Sequence, residues 1–390
     1  MIYLDHAATT PVDPEVLEAM LPYFTDRFGN PSSVYGLGRE ARSALDGARD
    51  QVARVLACQS REVVFTSGGS EADNLAIRGV AARNAEAGRH IVTSQVEHHA
   101  VLHTCQDLER EGFEVTYLPV DGHGRVAPDD LRRALRPDTI LVSIMLGNNE
   151  VGTLQPVREL SAVTHEHSRA YFHTDAVQAF GKAPIRVDDL GVDLLSLSAH
   201  KVYGPKGSGC LYIRMGTRIQ PLITGGGHER NRRAGTENVP GIVGLAKAVE
   251  VAARDFARDV ERLRTVQSRL IETMTTAIPD ARLTGHPTER LPHHASFLVD
   301  GVEGDSLLVR LDRAGVYASS GSACTSGSLE PSHVLLAMGI EPAAALGSLR
   351  LSIGKRTTGE EVDAAAAVIA DAVEALRAGR AAPPVPATES

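Results

Sequence analysis

The sequence predicts an α/β fold, with a large domain built on a doubly wound, mostly parallel sheet and a smaller α+β domain after it. Three observations predict this. Short β-branched runs alternate with helix-length amphipathic stretches up to about residue 213. The runs are largely apolar, as strands covered on both faces must be. A single helical pattern, from about Pro240 to Thr276, then separates this part from one in which strands and helices mix. A chain of 390 residues holds two or three domains. The expected boundaries are 15–255 for the sheet domain, 1–14 with 256–380 for the smaller one, and a disordered tail over 381–390.

In chain order, the strand candidates are Glu62–Thr66, His90–Ser94, Glu114–Val120, Ile140–Met145, Ala170–Asp175, Asp193–Ser198 and Gly209–Ile213. Helical spacing fits Glu71–Ala87 and His99–Glu111 between them. The run Gly225–Thr236, rich in glycine and arginine, reads as an exposed loop. In the long helix, Val243, Ala246, Val249, Ala253, Phe256, Val260, Leu263 and Val266 keep one face apolar, and a helix of this length links two domains. Beyond it come a strand at Ala295–Val299, a helix at Asp305–Ala314, a strand at Leu349–Ile353 and a helix at Glu360–Arg377. Thr358 and Glu361 form a capping box for that last helix.

Composition removes several classes of function. There are 40 Lys and Arg against 49 Asp and Glu, a net charge of −9, so the broad basic footprint of a nucleic-acid binder is missing. No apolar run reaches the roughly 18 residues of a membrane span. The start, Met1 to His6, lacks the basic and apolar regions of an export signal, which predicts a mature, cytoplasmic protein. The cysteines are Cys58, Cys105, Cys210 and Cys324, with no C-x-x-C pair. A structural zinc site is therefore not expected, and a reducing compartment is. Cys58, Cys105 and Cys210 read as buried small hydrophobes.

Ligands of doubly wound sheets sit at the carboxyl ends of the strands. Asp175 ends one strand among apolar neighbours, where a carboxylate needs a cationic or N–H partner; a plain helix cap is the competing reading. Lys201 follows another, in Ser198-Ala199-His200-Lys201, where desolvation turns a lysine into a nucleophilic amine; a surface lysine is the blander alternative. Lys206 lies inside the following turn and reads as solvated. Thr66-Ser67-Gly68-Gly69-Ser70-Glu71 joins a strand to a helix, and its small residues let backbone N–H groups approach an anion. An amine, a carboxylate and a phosphate cradle together suit pyridoxal 5′-phosphate, through its aldehyde, ring nitrogen and phosphate. Cys324 sits among Gly, Ser, Ala and Thr, with little apolar surface nearby to pack, which predicts an accessible thiol on a mobile segment.

The chain resembles the NifS/IscS-like cysteine desulfurases, within fold-type I of the pyridoxal-phosphate enzymes. The resemblance rests on Tyr3-Leu4-Asp5-His6-Ala7-Ala8-Thr9-Thr10-Pro11, Phe28-Gly29-Asn30-Pro31-Ser32-Ser33, Glu97-His98, Asn148-Asn149-Glu150-Val151-Gly152, His173-Thr174-Asp175-Ala176-Val177-Gln178, His200-Lys201, Arg233 to Asn238 and Ser319 to Pro331. It implies a Schiff base on Lys201, Asp175 at the ring nitrogen, His98 stacked on the ring and moving protons, and Gln178 at the phenolic oxygen. Gly69, Ser70, Ser198 and His200 would hold the phosphate, and Thr236 would reach the phosphate of a partner subunit, hence a homodimer. Asn149, counted with the cofactor site as well, and Arg350 would bind the substrate carboxylate. The implied reaction converts L-cysteine to alanine and leaves a persulfide on Cys324 for a sulfur-acceptor protein, in iron–sulfur cluster assembly or another thiolation. Ser70 stands where the family often has Thr, and Ala199 where it usually has Gly. A selenocysteine lyase or an aminotransferase would use the same scaffold.

Overall fold

The computed structural model describes residues 1–320 and 330–381. Cys324 and the tail beyond 381 lie outside the described residues. After a short strand β1 (Ile2–Tyr3), the large sheet is built from β2 (Val63–Thr66), β3 (His90–Ser94), β4 (Glu114–Leu118), β5 (Thr139–Ser143), β6 (Tyr171–Asp175), β7 (Leu194–Ser198) and β8 (Gly209–Ile213). Its order is β2-β8-β7-β6-β5-β3-β4. All neighbours are parallel except β8, which runs against both β2 and β7.

Every strand of the sheet but β6 and the edge strand β4 is buried along its whole length, and β6 is buried but for its first residue. Helices cover both faces, as the unbroken apolar runs require. One face packs Val92, Val142, Phe172, Leu195 and Tyr212 against the helix Gly36–Leu56 and the start of the long helix. The other packs Ile91, Leu141, Leu194 and Leu211 against Gly69–Asn84 and His99–Arg110. Two of these strands, β4 and β5, end short of the expected limits. β4 stops at Leu118 because Pro119 has no N–H to continue the ladder. β5 stops at Ser143, and the Met145 N–H is taken by the Glu97 carboxylate.

The long helix runs Val239–Ala277, 39 residues or about 58 Å. Its first half, through Leu245 and Val249, packs in the core of the large sheet. Its second half, through Leu263, Leu270 and Met274, packs in a separate core. That core lies on a three-stranded antiparallel sheet of β9 (Arg282–Thr284), β10 (His294–Leu298) and, beyond β11 (Val316–Tyr317), β12 (Ser348–Ser352). The helices Gly304–Arg313 and Gly359–Ala381 complete it. The capping box forms: Thr358 N–H donates to Glu361 and Glu361 N–H to Thr358 Oγ1. β1 pairs in parallel with β11, and Leu4 joins the second core, so the chain starts on the smaller body and then crosses to the large sheet.

One expectation needs correction. The segment after β8 is not simply an exposed loop. His228–Asn231 forms a 3₁₀ turn in which Glu229 is buried. Its carboxylate meets both Nη atoms of buried Arg49, at 2.6 and 2.7 Å, and accepts the Phe65 N–H at 2.9 Å. A buried guanidinium requires such a counter-charge. Glu229, Arg230 and Asn231 all hold positive φ (44°, 56° and 63°), a strain the ion pair offsets.

Candidate active site at the carboxyl ends of the strands

Asp175 is the last residue of β6, and Lys201 closes the 3₁₀ turn Ala199–Lys201 directly after β7. The two strands are neighbours, with Asp175 in register with Ser196, so the carboxylate and the amine emerge side by side. β8 starts at Gly209, which faces Ser198 on one side and Thr66 on the other. This brings the start of the helix Gly69–Asn84 to the same rim. A cavity of about 300 Å³ opens there. Gly69, Ser70, His98, Asn149, Asp175, Gln178, Ser198, His200, Lys201 and Arg350 all line it. Thr236 does not; it is exposed on the segment after β8.

Lys201 Nζ donates to the carbonyls of Ala7 at 2.6 Å and Ala8 at 2.7 Å, so the chain's start holds the amine over the cavity. Asp175 Oδ1 accepts the Val177 N–H at 2.8 Å. Burial pushes its carboxyl up to about 6, while that N–H and the charge of Lys201 pull it down. Beneath it lies Asp73, which also lines the cavity and which burial and the nearby Asp175 raise well above the usual carboxylate range. Buried His173 bridges Ser143 Oγ at 2.9 Å and Ser196 Oγ at 3.0 Å; burial holds it near 3, so it is a neutral ring.

His98 caps the helix His99–Arg110, its Nδ1 accepting the Ala100 N–H at 3.1 Å. The ring proton therefore sits on Nε2. Burial, then the charge of Lys201, lowers this histidine to about 4, and it is neutral at pH 7. Gln178 Nε2 donates to Ala7 O at 2.8 Å, while its Oε1 is buried with no hydrogen-bond partner among the described residues. Arg350, on β12, is almost fully buried. Its Nη1 donates to the Asn149 carbonyl at 3.0 Å and its Nη2 to Asp5 Oδ1 at 2.9 Å, so an internal carboxylate steadies the fork.

These residues fit a phosphorylated pyridine aldehyde. The buried carboxylate of Asp175 is suited to a protonated ring nitrogen, and the amine of Lys201 to the aldehyde. The unpartnered amide oxygen of Gln178 marks a polar site at the cavity wall that lacks a protein partner. The cradle depends on glycine. A Cβ at Gly69 would meet Val177 Cγ2 at 2.7 Å, and one at Gly209 would meet the Gly68 backbone at 2.7 Å. The helix N-terminus at Gly69 favours an anion there.

The sequence reading missed Asp73 and the carbonyls of Ala7 and Ala8. Asp73 was readable in principle as a lone charge in the apolar run Ala72 to Ile77. Burial pushes the thiols of Cys58, Cys105 and Cys210 up to about 12, which leaves them inert. Cys105 and Cys210 are buried as expected, and Cys58 is half-buried.

Residues 2–365 match the class-V aminotransferase family. Among curated relatives, the cysteine desulfurase IscS of Methanosarcina thermophila is 54% identical over 376 residues, which is 96% of this chain and 93% of that protein. Among solved structures, a NifS-like protein aligns with a TM-score of 0.91 at 39% identity, over 96% of this chain and 99% of that one. A structure described as SspA in complex with cysteine aligns with a TM-score of 0.80 at 38% identity, over 92% of this chain and 100% of that one.

Proposed function

The chain belongs to the class-V aminotransferase family, a family of pyridoxal-phosphate enzymes of fold-type I, and from that premise we propose that it is a cysteine desulfurase with Cys324 as its sulfur carrier. The observation that supports this most is the emergence of Lys201 and Asp175 from adjacent strand ends into one cavity rimmed by a glycine cradle. When bound, pyridoxal phosphate supplies an aldehyde for an amine and a ring that accepts the electron pair left when a Cα proton departs.

The protein residues do the rest. Gly69, Ser70, Ser198 and His200 hold the phosphate, and Thr236 of a second subunit adds a hydroxyl, which makes the working form a homodimer. Asp175, ionised above about pH 6, keeps a proton on the ring nitrogen. Gln178 would meet the phenolic oxygen, and neutral His98 would stand beside the ring. Asn149 and the Asp5-steadied fork of Arg350 take the substrate carboxylate. Lys201 Nζ is the base that moves the Cα proton, with His98 the other candidate for that task.

Sulfur transfer balances without an outside oxidant. The Cys324 thiolate attacks the sulfur of L-cysteine, an S–S bond forms and the C–S bond breaks. The electron pair of that bond and one proton pass to carbon, giving alanine, and a persulfide stays on Cys324. Carbon is reduced and sulfur oxidised. The persulfide then goes to an acceptor protein, for iron–sulfur cluster assembly or another thiolation. We place the reaction in the cytoplasm, where Cys58, Cys105 and Cys210 remain the free thiols they are here. No helix among the described residues is long and apolar enough to cross a membrane.

The test follows alanine and sulfide from L-cysteine with excess reductant. Equal amounts of the two are expected, and Cys324→Ala is expected to lose most of the turnover. A keto acid in place of alanine, or full turnover by Cys324→Ala, would overturn the assignment.

A further inference from the structure

Arg350 shares the Asn149 carbonyl with a second donor. His294 is fully buried, and its Nε2 lies 3.1 Å from that oxygen, beside Arg350 Nη1 at 3.0 Å. A carbonyl only accepts, so the ring carries its proton on Nε2. Its Nδ1 is left with no partner among the described residues. A buried polar atom left this way costs stability, and an apolar side chain of the same size would fill the space without that cost. Packing alone therefore does not account for a histidine at this position.

The smaller sheet aims both donors at one point. His294 is on β10 and Arg350 on β12, and Ser296 is in register with Arg350, so His294 and Arg350 share one face. The other face, with Ala295, Phe297, Leu349 and Leu351, packs into the core of the smaller body. The shared face meets the turn of the large body that Gly147 and Leu154 close. Asn148 locks that turn from its own side: its Nδ2 donates to the Val96 carbonyl at 2.9 Å, and its Oδ1 accepts the N–H groups of Glu150 and Val151. The ring of His294 lies directly against the turn, since a Cβ on Gly152 would meet it at 2.9 Å. Gln267, from the long helix, holds the His294 carbonyl at 2.6 Å. Asn149 and Arg350 line the cavity, and His294 does not.

Resting on the reading of Asn149 and Arg350 as the site of the substrate carboxylate, we propose that His294 is a positioning residue for that site: by sharing the Asn149 carbonyl with Arg350, it fixes the Asn149 side chain and the Arg350 fork relative to each other, so that an α-carboxylate meets both at once. A single hydrogen bond allows rotation about itself. Two donors that converge on one oxygen from adjacent strands remove that freedom, and a site held in place binds more tightly than one that must be ordered by its ligand. Burial first, and then the charge of Arg350, lowers His294 well below the usual histidine range, so the ring adds a donor without adding a charge.

The test uses the full-length holoenzyme and its His294→Gln, His294→Asn and His294→Leu variants. Gln places an amide N–H where Nε2 lies, Asn withdraws the donor from that point, and Leu removes it. Uptake of an amine is read from the bound cofactor's visible absorbance and needs no turnover. L-Alanine is the probe that carries a carboxylate, and ethylamine is the same amine without it. His294→Asn and His294→Leu are expected to bind L-alanine about tenfold more weakly and ethylamine as the parent does, while His294→Gln stays within about twofold of the parent for both. In turnover of L-cysteine the same loss should fall on KM, with kcat nearly unchanged. In an Arg350→Ala background, His294→Leu should weaken L-alanine binding no further, because the two side chains act through one carbonyl. Unchanged L-alanine affinity in His294→Asn or His294→Leu would overturn the proposal, and either variant suffices if the other does not fold. Equal losses for the two probes, which a merely structural role would give, would also overturn it, as would a His294→Gln protein as weak toward L-alanine as His294→Leu. A parent that takes ethylamine as readily as L-alanine would instead remove the carboxylate reading of Asn149 and Arg350 beneath it.

Discussion

Glu97 shows how one side chain beside the cavity sets a cost for the whole fold. It is fully buried next to His98, and its Oε1 accepts from Ser94 Oγ at 2.5 Å and from the Met145 N–H at 3.0 Å. Burial pushes its carboxyl up to about 8, against the pull of those two donors. Between its ordinary value and 8, the folded chain holds a proton that the unfolded chain has lost. Stability from this group is thus fully present below about pH 4.5 and is lost as pH rises toward 8, by at most about 1.4 kcal/mol per unit. Glu97→Gln keeps the shape and removes the titration. Its advantage over the parent in urea unfolding should grow from pH 5 to pH 8 and then level off. A gap that stays constant over that range would show that Glu97 does not carry the proton. None of this was readable in Glu97-His98 as a dipeptide, because the effect comes first from burial, which only the folded sheet creates around the carboxyl, and then from Asp175, which arrives from another strand end.

At the scale of elements, the strands were the most legible part. Those buried on both faces are apolar runs bounded by polar or turn residues, and His90–Ser94 and Gly209–Ile213 match the sequence reading at both ends. The glycine-rich rim of the cavity was legible as a Gly-Gly-Ser turn, but the strand that makes room for it was not. β8 runs antiparallel between β2 and β7, and its first residue passes against Gly68. A Cβ on Gly209 would meet the Leu197 carbonyl at 2.6 Å as well as the Gly68 Cα at 2.7 Å. Backbone on both sides cannot yield as a side-chain tip does. Gly209→Ala should therefore push the cradle away from Ser198, costing about 1–3 kcal/mol of stability. Cofactor affinity should fall more than ten-fold, while the Cys210→Ser neighbour retains it. Equilibrium dialysis with pyridoxal phosphate checks this, and unchanged affinity would mean that the cradle does not need the close approach. The helices Gly36–Leu56 and Val157–His167 were not singled out from the sequence, although both carry a buried apolar face.

The whole molecule raises the question of what covers the start of the chain. Leu17, Leu21, Phe24, Phe28, Val34 and Tyr35 are all exposed, Phe28 at 66% and Val34 at 86%. An apolar stretch of this kind marks an association surface. It adjoins the strained segment after β8, since Ser32 Oγ lies 3.4 Å from His228 Nε2. On that segment Thr236 is exposed and outside its own subunit's cavity. Arg233 ties the same segment to Glu71, at the cradle, with a 2.9 Å ion pair. The apolar patch, the hydroxyl and the cradle are therefore mechanically linked, and a second copy docked on the patch would carry its own Thr236 toward the partner's phosphate. The resemblance ties Thr236 to a partner's phosphate, but the sequence alone could not connect the apolar patch to either. Of residues 17–35 the sequence singled out only Phe28 to Ser33, as part of the resemblance, and the link to 228–236 exists only once the Arg49–Glu229 pair folds that segment back. Phe24→Glu with Phe28→Glu should place two charges in the interface. Sedimentation velocity is expected to give a dimer for the parent and a monomer for the double variant. The monomer should bind pyridoxal phosphate about tenfold more weakly, the effect of one lost hydrogen bond to a charged group. Thr236→Val in the intact dimer should reproduce the weaker binding without dissociation. A monomeric parent, or a monomeric double variant with undiminished cofactor affinity, would mean that each cavity is complete within one chain.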